Sequence, residues 1–288
     1  MNFTRLISAS AAALFTVATA DAIILFRTDD PQANTTAPTG SLADSGWQYE
    51  GQWGVNSGTP IAPHFFITAH HVGGSVGQIF NFRGIAYKTT ASFSDPESDL
   101  LIWQVAETFP AFAPLFEKLD EVGRPLVVIG RGTQRGSAIS YKRETRGWGW
   151  GATDSVQRWG QNVVSQIVSG GVNDDFLYAT FDEQRGAANR STNEAHLSAG
   201  DSGGGVFLND GGTWKLAGVN YAVDGPFYTS AADTTGFNGA LFDTRNFYSK
   251  DGATYVLITG KNAVPSGFYA TRISTKVGWI RSVIGPTN

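Results

Sequence analysis

A serine set between glycines, in the segment Gly200–Gly204 (GDSGG), is the feature of the sequence best suited to covalent chemistry. Glycine neighbours leave space for a substrate and let backbone N–H groups converge on a negatively charged oxygen. A serine hydroxyl is a weak nucleophile until a neighbouring base takes its proton. Ser202 therefore needs a histidine close to it in the fold, because the pentapeptide alone also fits an ordinary glycine-rich turn.

The order of the histidines along the chain restricts the architecture. The pattern G-x-S-x-G also fits the nucleophile elbow of an α/β-hydrolase, which requires an acid and then a histidine after the serine. All four histidines, His64, His70, His71 and His196, precede Ser202. Chain order therefore excludes the hydrolase elbow and leaves the order His, Asp, Ser.

Two further segments supply the histidine and the acid. An apolar stretch, Ile67–His71 (ITAHH), ends on a histidine, and another, Ser98–Ile102 (SDLLI), opens with an acid. Together with Gly200–Gly204 they resemble the trypsin/chymotrypsin family of serine peptidases, in which T-A-A-H, D-[IL]-x-L and G-D-S-G-G follow one another. The resemblance covers roughly Trp47 to Ile284, with weaker family-like matches at Leu216–Tyr221, Gly267–Tyr269 and Val277–Ile280.

This resemblance implies a role for each residue of the motifs. His71 is the general base, Asp99 orients it, and Ser202 is the nucleophile. The backbone N–H groups of Gly200 and Ser202 form the oxyanion hole. The register of the family motif assigns the base to His71, and its neighbour His70 is the alternative. A catalytically inactive binding protein on the same fold is the alternative to a serine endopeptidase.

The resemblance also implies a substrate pocket. Its floor lies six residues before the nucleophile, at His196, and Glu194 takes that place if the loop is shifted. Tyr221, Ala222 and Val223 edge the pocket. The bulk of these edge residues predicts a small or shallow pocket, and a histidine floor argues against specificity for lysine or arginine.

Asp201 has a separate role in the family, where the matching acid is buried and pairs with a new N-terminus. Cleavage after Ala22 would make Ile23 such an N-terminus; otherwise Asp201 needs an internal partner. Near its N-terminus the chain has a positive charge, Arg5, followed by an apolar stretch of small residues, Leu6–Ala20. This pattern is typical of a signal peptide over residues 1–20, so we expect export to the periplasm or outside the cell.

Composition limits the other functions. The net charge of −4 gives no reason to expect nucleic acid as a partner, and the absence of cysteine excludes disulfides and thiolate chemistry. No spacing of ligands resembles a metal site, and no cofactor is implied. No segment after the signal is long and apolar enough to span a membrane. The expected partners are protein or peptide substrates.

The elements that must position these residues are short strands separated by glycine, proline and polar residues. They predict two consecutive all-β units followed by a C-terminal α-helix over Lys276–Ile284. The family resemblance implies an all-β fold of two antiparallel Greek-key β-barrels packed face to face. After the signal, an N-terminal arm spans residues 21–45, the first barrel residues 46–124 and the second residues 125–288. The predicted strands are Trp47–Val55, Phe65–Thr68, Gln78–Phe82, Ile85–Thr89, Leu100–Val105, Leu126–Ile129, Ala138–Lys142, Val163–Val168, Phe176–Phe181, Gly205–Leu208, Trp214–Tyr221, Tyr255–Thr259 and Phe268–Ile273.

Two segments keep open interpretations. The long connection Asp224–Ser266 is either a lid over the cleft or an extra hairpin packed on the barrel. The segment Arg146–Gly151 (RGWGWG) is either a surface loop for polymer binding or an aromatic cover of the barrel.

Overall fold

The computed structural model describes residues 23–171, 174–182 and 192–285. The predicted signal peptide lies outside these residues. The described chain is mostly β-structure with one C-terminal α-helix, which confirms the predicted class. Within it, three short 3₁₀ helices lie at Gly40–Leu42, Trp47–Tyr49 and His70–Val72.

The strands in chain order are β1 (Ile24–Leu25), β2 (Gly51–Trp53), β3 (Asn56–Ala62), β4 (Phe65–Ala69), β5 (Ile79–Phe82), β6 (Ile85–Ser94), β7 (Leu100–Val105), β8 (Pro125–Gly130), β9 (Thr133–Tyr141), β10 (Glu144–Thr153), β11 (Arg158–Val163), β12 (Gln166–Gly171), β13 (Asp174–Thr180), β14 (Ala195–His196), β15 (Gly205–Asp210), β16 (Thr213–Val223), β17 (Gly239–Leu241), β18 (Tyr248–Asp251), β19 (Thr254–Leu257) and β20 (Gly267–Arg272). Helix α1 spans Val277–Ile284.

The first six barrel strands close on themselves in the order β2-β3-β4-β7-β6-β5. Side chains alternate across a strand, so Phe80 and Phe82 of β5 point inward while their neighbours are exposed. Trp53 and Phe66 fill the same interior, and the rings of Phe66 and Phe80 stack with centroids 4.0 Å apart. This closed barrel carries the histidine motif Ile67–His71 and the acid motif Ser98–Ile102.

The later strands form a seven-stranded antiparallel sheet in the order β11-β8-β15-β16-β20-β13-β12. Its strand β8 is apolar and buried from Leu126 to Ile129, because both faces of that strand are covered. Helix α1 packs Ile280 into the core, as its spacing predicts. Just before the helix, the ammonium of Lys276 lies 2.9 Å from the carboxylate of Asp95, and both side chains are buried.

Several stretches differ from the sequence prediction. The predicted strand Trp47–Val55 is wrong as one element, since Trp47–Tyr49 is a 3₁₀ helix and only Gly51–Trp53 forms β2. The predicted strand Val163–Val168 is also wrong as one element, since β11 ends at Val163 and β12 begins at Gln166. Arg146–Gly151 is not a loop but the middle of the ten-residue strand β10. It pairs with β9 and with β17, a strand within the long connection Asp224–Ser266. Its alternating glycines obscure the strand pattern, because glycine is depleted in strands.

Candidate active site

The pairing of two barrel strands brings the predicted base and acid together. Strand β4 ends at Ala69 and β7 begins at Leu100, and these residues are directly opposite in the antiparallel ladder. The residues that follow one strand and precede the other are therefore neighbours in space. His71 lies in the 3₁₀ turn after β4, and Asp99 immediately precedes β7.

The three predicted triad side chains form one continuous hydrogen-bonded chain. The Nδ1 atom of His71 lies 2.5 Å from Oδ2 of Asp99, and its Nε2 atom lies 2.8 Å from the hydroxyl of Ser202. The backbone N–H of His71 also donates to Oδ1 of Asp99 at 2.9 Å. The carboxylate thus holds the histidine at two points, which orients the Nε2 atom toward the serine.

His70 occupies a different position from its neighbour. Its backbone N–H donates to the carbonyl oxygen of Asp99 at 2.8 Å, while its side chain is exposed. His71 instead places both ring nitrogens in the chain from Asp99 to Ser202. The geometry agrees with the register that assigns the base to His71. His64, in the turn before β4, points its Nδ1 to the carbonyl of Glu107.

The loop that carries Ser202 leaves two backbone donors free. Within the described part of the chain, the N–H groups of Gly200 and Ser202 have no acceptor, whereas those of Asp201, Gly203 and Gly204 all donate to carbonyl oxygens. Gly200 has φ +96°, a conformation that other residues rarely adopt. The N–H groups of Gly200 and Ser202 are therefore available to an acceptor from outside the chain.

Asp201 is fully buried behind this loop. Its carboxylate accepts hydrogen bonds from the backbone of Gly132 at 2.8 Å and from the backbone and hydroxyl of Ser198 at 2.7 and 3.0 Å. Burial raises the pKa of Asp201 to about 6, although these bonds and the nearby backbone of Ile23 lower it. Asp201 therefore has internal hydrogen-bond partners in Gly132 and Ser198.

A cavity of about 110 Å³ opens beside Ser202. The predicted edge residues Tyr221, Ala222 and Val223 line it, together with Leu197 and other residues of the segment before the serine. The predicted floor residue, His196, does not line this cavity. The structure thus brings three of the four predicted pocket residues to the nucleophile.

His196 is fully buried in strand β14. Its Nδ1 atom lies 2.7 Å from the carbonyl oxygen of Leu197 and its Nε2 atom 3.1 Å from that of Gly267. Burial lowers the pKa of this imidazole. Glu194, the alternative floor residue, is also buried, and burial together with the charge of Asp182 raises its pKa to about 9.

The sequence motifs point to neither of two further residues near the site, Trp150 and Glu50. Trp150 of β10 lines the cavity beside Ser202, although it lies far from the motifs in the chain. Glu50 is 5% exposed and links the two sheets: its Oε1 atom accepts from the hydroxyl of Thr59 at 2.8 Å and from the backbone of Gly205 at 3.0 Å. Burial raises the pKa of Glu50 to about 8. The only signal for Glu50 in the sequence is its position directly before β2, the short strand that contains Trp53.

No family model matches this sequence, and no curated protein matches it at a significant level. In residues 23–171, 174–182 and 192–285, no group of three or more His, Asp or Glu side chains is arranged to hold a metal ion. No helix in the same residues is long and apolar enough to cross a bilayer. The geometry around Ser202 and the three sequence motifs are therefore the observations that bear on function.

Proposed function

We propose that this chain is a serine endopeptidase that hydrolyses peptide bonds through an acyl-enzyme intermediate. The observation that carries the proposal is the hydrogen-bonded chain from Asp99 through His71 to Ser202. A nucleophile, a base and an orienting acid stand in mutual contact, and two free N–H groups lie beside the nucleophile. These are the roles that acyl transfer to a serine requires.

In the first half of the reaction, the hydroxyl oxygen of Ser202 attacks the carbonyl carbon of the scissile bond while Nε2 of neutral His71 takes the hydroxyl proton. The resulting oxyanion accepts hydrogen bonds from the N–H groups of Gly200 and Ser202. Asp99 stabilises the imidazolium that forms. The C–N bond then breaks, and His71 gives its proton to the leaving amine, which leaves an ester on Ser202.

In the second half, water replaces the departed amine. His71 takes a proton from the water as its oxygen attacks the ester carbon. The second tetrahedral intermediate collapses, the ester bond to Ser202 breaks, and His71 returns the proton to the serine oxygen. The products are two peptides, one with a new carboxylate and one with a new amine.

The proposed fold is the trypsin-like pair of barrels, with the seven-stranded sheet between Pro125 and Arg272 in the place of the second barrel. Its support is that Ser202 lies in the loop before β15 of this sheet, while His71 and Asp99 flank strands of the closed barrel. We also propose that the chain is exported by an N-terminal signal and acts in the periplasm or outside the cell.

Labelling with a fluorophosphonate probe tests the proposal. We expect the folded wild-type protein to gain one covalent adduct on Ser202, and the Ser202→Ala variant to gain none. A peptide library incubated with both proteins should be cleaved by the wild type alone. A folded wild-type protein that neither reacts nor cleaves would instead be the inactive binding protein on the same fold.

A further inference from the structure

The cavity beside Ser202 suits the acyl part of a substrate. It is lined by the serine but not by His71. The leaving amine must lie next to His71 to receive its proton, whereas the acyl residue becomes bonded to Ser202. The side chain of the residue N-terminal to the scissile bond therefore has its place in this cavity.

Among the residues that the structure describes, those that line the cavity are all uncharged. The acid Asp224 follows the wall residue Val223 in sequence, but its carboxylate is occupied elsewhere. It accepts hydrogen bonds from the hydroxyls of Tyr178 and Tyr269 at 2.6 and 2.8 Å and from the backbone of Gly267 at 2.7 Å. A cationic or anionic substrate side chain would enter the cavity without a partner, which is costly. The lining favours an apolar guest.

The size of the cavity restricts the guest further. Its volume is about 110 Å³, below the roughly 150 Å³ of an apolar cavity that admits a benzene ring. The side chains of Ala222, Val223 and Leu197 are among those that line the cavity and limit its volume. An aliphatic side chain of three or four carbons fits this space, and an aromatic ring exceeds it.

The remaining wall is the indole of Trp150, and the long connection Asp224–Ser266 holds it in place. Strand β17 of that connection pairs with β10, so that Gly147 lies opposite Leu241 and Trp148 opposite Ala240. Trp150 packs against a buried cluster that includes Ala240. The connection thus fixes the strand from which Trp150 closes the cavity.

Two further contacts anchor this strand. The guanidinium of Arg146 forms a salt bridge with the carboxylate of Asp243, which is 4% exposed. The ring of Trp148 packs edge-on against Phe26 of the N-terminal arm, with centroids 5.3 Å apart. These contacts hold β10 on the N-terminal side of Trp150, and Trp150 itself pairs with Arg135 of β9, so its backbone is held in place beside the cavity.

We propose that this protein cleaves after aliphatic residues of the size of valine and leucine, and that Trp150 sets this limit. The inference rests on the proposed peptidase function. It also assigns a role to the connection Asp224–Ser266, which acts by positioning Trp150 and not as a lid over the cleft.

A matched peptide series that differs only in the residue before the scissile bond tests the inference. We expect kcat/KM for leucine or valine to exceed that for alanine, phenylalanine and lysine by at least about 10-fold, the lower end of what one methylene contributes in an apolar pocket. In Trp150→Ala the cavity opens, and the ratio of phenylalanine to valine cleavage should rise by at least about 10-fold.

Two other variants keep the test decisive if Trp150→Ala folds poorly. Ala222→Val adds two methyl groups to a half-buried residue that lines the cavity, so leucine cleavage should fall while alanine cleavage is retained. Trp214→Ala removes a tryptophan from the far end of β16 and should leave the ranking of substrates unchanged. Circular dichroism establishes folding for each variant.

Fluorophosphonate labelling of the same samples separates the two proposals. Normal labelling with a preference for lysine or phenylalanine would overturn the aliphatic specificity and leave the peptidase function standing. Normal labelling with an unchanged ranking in both cavity variants would overturn the role of Trp150. Absence of labelling in the folded wild type would overturn both.

Discussion

Replacing Glu50 with glutamine should change how the stability of this protein depends on pH. The carboxyl group is buried between the sheets, and burial raises its pKa from 4.5 to about 8. The folded state therefore binds a proton that the unfolded state releases in the window between these two values. Stability contributed by the protonated group is fully present below pH 4.5 and is lost as the pH rises toward 8.

The size of the effect follows from the shift. A change of one pKa unit is worth about 1.4 kcal/mol, so the shift of Glu50 removes on the order of 5 kcal/mol of unfolding free energy across the window. Glutamine is neutral at every pH and keeps an oxygen that accepts from Thr59 and Gly205. The Glu50→Gln variant should therefore lose this part of the pH dependence.

Urea unfolding followed by tryptophan fluorescence, at a series of pH values from about 5 to about 9, measures the difference. Both proteins should carry Ser202→Ala, so that self-digestion does not distort the curves. Asp201 and Glu194 also have raised pKa values, but they are common to both proteins and cancel in the comparison. We expect the variant to gain stability relative to the parent as the pH rises. Parallel curves would show that Glu50 is ionised in the folded state, and the reasoning would be refuted.

Three further outcomes follow from the site. Asp99→Asn should lower kcat by on the order of 10⁴, since the amide holds His71 in the wrong tautomer; a loss below about 10-fold in steady-state assays would contradict this. His70→Ala should retain most of the activity that His71→Ala abolishes, and the reverse result would move the base by one residue. N-terminal sequencing of the exported protein should begin at Asp21, the residue after the predicted signal peptide of residues 1–20; a start at Met1 would contradict export by this signal.

The sequence predicted those parts of the molecule that depend on local pattern. The apolar run Phe65–Thr68 and the one beginning at Leu100 predicted two strands, and the positions of His71 and Asp99 near their ends followed from these runs. The regular spacing of Val277 and Ile280 likewise predicted helix α1. In each case the side-chain period matches the element, so the signal lies within a short window.

Other parts depend on contacts between distant segments. Nothing near Trp150 in the sequence indicates that it faces Ser202, because strand β17 from the long connection determines where β10 lies. His196 was placed on the pocket floor by counting back from the nucleophile, yet its ring turns to the carbonyl of Gly267 from β20. Counting along a loop does not fix the direction of a side chain, which the neighbouring strands decide.

Contacts between the two sheets set the distance between base and nucleophile. His71 and Ser202 belong to different sheets and meet at 2.8 Å. Gly203 lies so close to Thr68 that an added Cβ atom would overlap its hydroxyl. Glu50 accepts from donors of both sheets. Because a displacement of about 1 Å at a reacting group can lower the rate by about 100-fold, a small shift between the sheets would cost activity before either sheet unfolded. Under the proposed function, the interface that stabilises the fold also positions His71 against Ser202.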